Sequence, residues 1–145
     1  MNQTITRPRS TRPSTRVLAA PVIHTGEIAV TADYHLPLTD FKFLERFLEH
    51  MRERHITTLG IAGDFFHGDA LSRFSPKQAD AGFDRELSEA NHVMARLLDQ
   101  FERVVLIRGN HDERLLKALG YSTSFDTSMR MALHLLDREQ HERLA

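Results

Sequence analysis

An α/β fold with a parallel sheet is the architecture this sequence predicts, on three observations. Short apolar clusters alternate with longer stretches of helical period, three strand-like segments each close on a Pro or Gly turn, and 145 residues allow one domain with one sizeable core. The first strand is read at Glu27–Asp33 and runs into Tyr34-His35-Leu36-Pro37, where Pro37 stops it. Thr39 or Asp40 then caps a helix in which Phe41, Leu44, Leu48 and Met51 follow steps of three and four, with Phe43 and Phe47 widening the stripe. A second strand, Ile56–Ala62, ends at Gly63-Asp64.

Ser75-Pro76-Lys77-Gln78 supplies a cap hydroxyl, a first-turn Pro and a Gln at the capping-box position, so a long helix is expected from there. It continues through Gly82, because Ala79, Phe83, Leu87, Ala90, Met94, Leu97 and Phe101 keep helical spacing. A third strand, Val104–Ile107, leads into Arg108-Gly109-Asn110-His111-Asp112. A short helix through Leu115, Leu116 and Leu119 closes at Gly120. A last helix begins near Asp126, with Met129, Ala132, Leu133 and Leu136 on one face, and frays over Asp137–Arg143. The order β-α-β-α-β-α-α implies crossover connections and helices covering a parallel sheet.

Composition narrows the function classes. The chain is 41% apolar and 27% charged with a net charge of −1, and it has no Cys. Disulfides, a thiol nucleophile, thiolate zinc sites and iron–sulfur clusters are therefore excluded. The longest apolar run, Val17–Ile23, has seven residues including a Pro, against about twenty for a membrane span, so no membrane partner is expected. Residues 1–16 carry Arg7, Arg9, Arg12 and Arg16 without an acidic residue and read as a disordered basic tail. Pro8 and Pro13 interrupt the amphipathic helix a transit peptide would need, which leaves the cytoplasm as the expected compartment. Residues 17–145 then carry −5 and lack the electrostatic footprint of a nucleic-acid module. Nine His are the one compositional oddity and direct attention to metal or acid–base chemistry.

In open α/β sheets, sites form outside the carboxyl ends of the strands. All three strands here end in metal-competent residues: Asp33-Tyr34-His35, Gly63-Asp64-Phe65-Phe66-His67 and Gly109-Asn110-His111-Asp112. Asp33 and His35, two apart, project to one side and can grip one ion. Gly63 and Gly109 let the backbone turn sharply beside a site. Asp64 has two oxygens, enough to bridge two cations, and Asn110 offers a neutral amide oxygen; a two-metal clamp suits displacement at phosphorus. Taken singly, Asp33 or Asp112 reads as a helix cap, Asn110 as a turn residue and His35 as a loop residue. Their coincidence on three strand ends favours the site. Phe65 and Phe66 are expected in the core, and His24, His50, His55 and His92 have no such company.

These blocks, ADYH, GDFFH and RGNHD in that order, resemble those of the calcineurin-like metallophosphoesterases, whose pattern is D-x-H, G-D-x-x-D/H and G-N-H-D/E after successive strands. The resemblance implies that Asp33 and His35 bind a first divalent ion, Asp64 bridges two, and Asn110 binds the second, the ions being Mn, Fe, Zn or Mg. It implies that His111 donates a proton to the leaving oxygen while Asp112 accepts its other N–H. It sets His67 close to the scissile phosphate, and the GD-x-F-H form looks most like the DNA-repair exonuclease branch. The substrate class so implied is a phosphomonoester or phosphodiester, nucleic acid included.

The resemblance covers residues 27 to about 136, with 17–145 read as a partial metallophosphoesterase domain: the β-α-β-α-β half of a two-sheet sandwich, truncated before the second sheet is complete. The family's later lone His and G-H-x-H block are missing, and only His134 and His141 follow Asp112, both in a helical pattern. Four ligand side chains for two ions imply loose binding, poor turnover by residues 1–145 alone, and either self-association or completion by a further C-terminal segment. Two other classes stand beside the enzyme. One is a non-catalytic remnant or scaffold; the other is a nucleic-acid-binding module acting through the Arg tail.

Overall fold

The computed structural model describes residues 23–72 and 82–145, and the basic tail lies outside them. Three parallel strands, β1 (Ala29–Thr31), β2 (Thr58–Ile61) and β3 (Arg103–Leu106), form one sheet in the order β1-β2-β3. The register aligns Ala29 with Leu59 and Leu59 with Val104, and two residues on Thr31 with Ile61 and Ile61 with Leu106. Because side chains alternate across a sheet, Ala29, Leu59, Ile61, Val104 and Leu106 share one face, and all are buried. On the opposite face Ile28, Val30 and Ile107 are exposed. This is the predicted parallel β-α-β-α-β arrangement.

Helix α1 (Phe41–Glu53) starts at Asp40, whose carboxylate accepts from the Lys42 and Phe43 N–H groups. It buries Leu44 and Leu48, while Phe41 and Phe43 stay exposed, so the core stripe is narrower than the sequence spacing suggests. After a single 3-10 turn at Asp69–Leu71 comes α2 (Phe83–Gln100). The expected start at Ser75-Pro76 lies outside the described residues. Continuity through Gly82 is corrected: Gly82 has an extended backbone, ψ 152°, and is the N-cap, so the described helix begins at Phe83. Val93, Met94, Leu97 and Leu98 of α2 form the centre of the core together with Phe65 and Phe101.

Helix α3 (Glu113–Ala118) ends before Gly120, which has a left-handed backbone, and α4 (Phe125–Ala132) is capped by Ser124. The expected fraying over 137–143 is also corrected. Asp137 and Gln140 make a reciprocal capping box that nucleates a separate helix, α5 (Arg138–Arg143). From it Arg143 reaches the Leu98 and Phe101 carbonyls at the end of α2, and the Ala145 N–H donates to the Val104 carbonyl on β3. Buried Asn91 ties α2 to α4: its amide donates to the Leu87 and Ala132 carbonyls and accepts from the Leu135 N–H. Among the described residues no helix is long and apolar enough to cross a membrane.

Candidate metal centre

The loops leaving β1 and β2 stay zipped after the strands end. Asp33, His35 and Leu36 donate their N–H groups to the carbonyls of Gly63, Asp64 and Phe65, at 3.2, 3.0 and 3.1 Å. Phe65 and Phe66 anchor this double loop as buried core residues. The third loop presses in at Gly109, where a Cβ would fall inside the Asp64 carboxylate and amide. Gly63, at φ +95°, would bring a Cβ to 2.8 Å from the Gly109 Cα. Only glycine allows the loops after β2 and β3 to approach this closely.

The Asp112 carboxylate is the knot that ties the loops. It is 1% exposed and accepts from the Asp64 and Gly109 N–H groups through one oxygen, at 2.8 and 2.9 Å, and from the Phe66 N–H through the other, at 2.9 Å. The expected pairing of Asp112 with the His111 ring is therefore corrected, since both oxygens are committed to backbone. Instead the His111 Nδ1–H donates to the His67 carbonyl at 2.7 Å. Burial pushes the Asp112 carboxyl above its ordinary range, and the three N–H bonds oppose that shift.

On this frame Asp33, His35 and Asp64 converge. The His35 Nε2 lies 3.5 Å from an Asp33 oxygen and 4.0 Å from Asp64 Oδ2, and ligand atoms of all three fall within 4.8 Å of one another. Two donors bound to one ion at about 2.0–2.2 Å can lie at most about 4.4 Å apart, so both distances from His35 fit a shared divalent cation. The second Asp64 oxygen accepts from the His111 N–H at 2.9 Å, which fixes the carboxylate plane. All three residues have a left-handed backbone, φ 57°, 45° and 56°, a region non-glycine residues seldom enter. Asn110 is exposed on the β3 turn.

His35, His67 and His111 form a second cluster with donor atoms within 4.8 Å of one another. The His35 and His67 Nδ1 atoms are 3.3 Å apart, and the His35 and His111 rings meet edge to face at 4.4 Å. The His67 Nε2 faces Asp69 at 3.5 Å. Burial lowers the pKa of His67, Asp69 opposes this, and His35, His111 and Arg114 add to the lowering. Neither metal-capable cluster among the described residues contains His134 or His141.

Two residues escaped the sequence reading. Arg114, on α3, donates to the His67 carbonyl at 2.8 Å and to Asp69 at 3.2 Å, and its other terminal nitrogen lies 3.4 Å from His111 Nε2. Glu86, on α2 and 2% exposed, accepts from the Gly68 N–H at 2.6 Å and so clamps the turn that carries His67. Arg114 stands three residues after His111, one helical turn on at the start of α3, a readable signal; Glu86 looks like any solvated helix residue in sequence.

Burial raises the Glu86 carboxyl above its ordinary value, with Asp69 adding to the rise and the backbone N–H bonds opposing it. The stability this group supplies is thus complete below the ordinary Glu value and is lost as pH rises through the raised one. Glu86→Gln should accordingly gain on the wild type as pH rises above the ordinary Glu value. Urea unfolding at several pH values checks this, and a difference independent of pH contradicts it.

A family description, calcineurin-like phosphoesterase, matches residues 26–140 of the chain. The match covers all three strands and every candidate residue of both clusters. No curated protein and no solved structure gives a significant match.

Proposed function

The chain belongs to the calcineurin-like phosphoesterases, and on that premise we propose that it is a metal-dependent hydrolase of phosphoesters. The observation that carries the reading is the convergence of Asp33, His35 and Asp64 within 4.8 Å at the carboxyl ends of parallel strands. These three side chains would hold a divalent ion, and Asp64 together with the Asn110 amide oxygen would serve a second. A divalent ion bound there supplies charge neutralisation and Lewis acidity toward a phosphoryl oxygen.

The protein's own groups do the rest. With Nδ1–H held by the His67 carbonyl, His111 is oriented so that Nε2 is the atom left to carry a proton to the leaving oxygen. Arg114 beside that nitrogen gives an arriving phosphate oxygen a second donor. His67, wedged between His35 and Asp69, is assigned to a phosphate oxygen rather than to an ion. Asp112 positions the loops and has no direct role in proton transfer.

The test is chelation of the full chain followed by reloading with Mn²⁺, Fe²⁺, Zn²⁺ or Mg²⁺, with calorimetry for ion binding and nitrophenyl phosphate and its diester as reporters. Slow turnover restored by an ion is expected; absence of both binding and turnover with every ion overturns the reading. His111→Ala should keep its ions and lose about 10²–10⁴-fold on esters with poor leaving groups, with a much smaller loss on nitrophenyl esters. Equal losses on both would remove His111 as the proton donor.

A further inference from the structure

Beside the carboxylate–histidine cluster, between the end of β1 and the first turns of α1, the surface opens into a cleft of about 470 Å³. Asp33, His35 and His67 stand at one end, so the cleft is continuous with the candidate centre. Leu38, Phe43, Leu44 and Phe47 form its apolar walls. Leu38 and Phe43 are 67% and 66% exposed, large side chains that no part of the described chain covers.

The polar groups of the lining are already engaged. Asp40 caps α1, and the Thr31 hydroxyl meets the Tyr34 phenol at 3.0 Å. Among the described residues no Lys or Arg lines the cleft, and the charged ones other than histidine are two carboxylates, Asp33 and Asp40. A chain of phosphates would meet negative charge and no cation here, the reverse of what a nucleic-acid backbone requires. An uncharged flat ring meets matching walls, and the volume lies in the range of small-molecule sites.

We propose that this cleft seats the organic half of the substrate, an uncharged aromatic group esterified to a phosphate that would meet the divalent ion held by Asp33, His35 and Asp64. The proposal rests on the phosphoesterase reading and makes it narrower: an aryl phosphoester in preference to a polynucleotide or a small polyol phosphate.

The experiment compares 1-naphthyl phosphate, glycerol 2-phosphate and a single-stranded oligonucleotide as substrates of the ion-loaded full chain, wild type against Phe43→Ser and Leu38→Ser. Both positions are exposed, so folding should survive. The ratio of kcat/KM for the naphthyl ester over the glycerol ester is expected to fall about tenfold in each variant. Binding of uncharged 1-naphthol to the metal-free protein, followed by naphthyl fluorescence, should weaken by a similar factor. Hydrolysis whose selectivity ignores both substitutions, or a preference for the oligonucleotide, overturns the cleft assignment and leaves the phosphoesterase reading intact. Phe43-dependent naphthyl binding without hydrolysis by any ion supports the cleft and overturns the phosphoesterase reading.

Discussion

Asp64→Asn is expected to lower divalent-ion affinity by at least about 100-fold and to abolish phosphoester hydrolysis, with the fold retained. The Asp64 side chain does two jobs with two oxygens: one accepts the His111 N–H, the other faces His35. An asparagine keeps an acceptor for the first and presents a neutral group to the ions, so the loss falls on the electrostatics of the centre alone. Titration calorimetry with Mn²⁺, paired with circular dichroism, separates the two. Unchanged ion affinity in a folded variant would end the assignment of Asp64 as the shared ligand.

Asp112→Ala should act on the fold first and on the centre as a consequence. Removing the carboxylate leaves the Asp64, Phe66 and Gly109 N–H groups without their acceptor in a buried position. At about 1–3 kcal/mol for each unsatisfied group, with some relief from solvent entry, a loss of about 3–5 kcal/mol is expected. That is a large part of the stability of a typical domain, about 5–15 kcal/mol. Asp112→Asn keeps one acceptor oxygen and should lose less. Urea unfolding measures both, and a loss below about 1 kcal/mol for the alanine variant would mean that the three loops hold together without this carboxylate.

The sheet was legible because each strand is a short apolar run closed by Pro or Gly, and all three candidate blocks stand at strand ends in the sequence itself. The boundaries moved inward, since only Leu59–Ile61 of the longer apolar run pairs with strands on both sides and Thr58 with β3 alone. Gly82 misled because apolar spacing says nothing about where backbone turns out of the helix. The capping box at Asp137 and Gln140 was written in the sequence, but the polar face around it masked the signal. Asp33, His35 and Asp64 could be proposed as partners from their types and positions. The true partner of His111 could not, because it is a backbone carbonyl, and every residue carries one. Nor could the cleft, whose walls come from two elements that meet only when α1 packs beside the end of β1.

The left-handed backbone at Asp33, His35 and Asp64 sets the centre in competition with heat tolerance. Each such residue costs roughly 1–3 kcal/mol that a glycine at the same place would recover, with asparagine recovering part of it. A library screened for survival at high temperature alone would therefore collect Gly and Asn at positions 33, 35 and 64, and the winners would be the sturdiest chains with the emptiest centres. Retention of the three original residues through such a screen would have to come from function, because stability by itself selects against them.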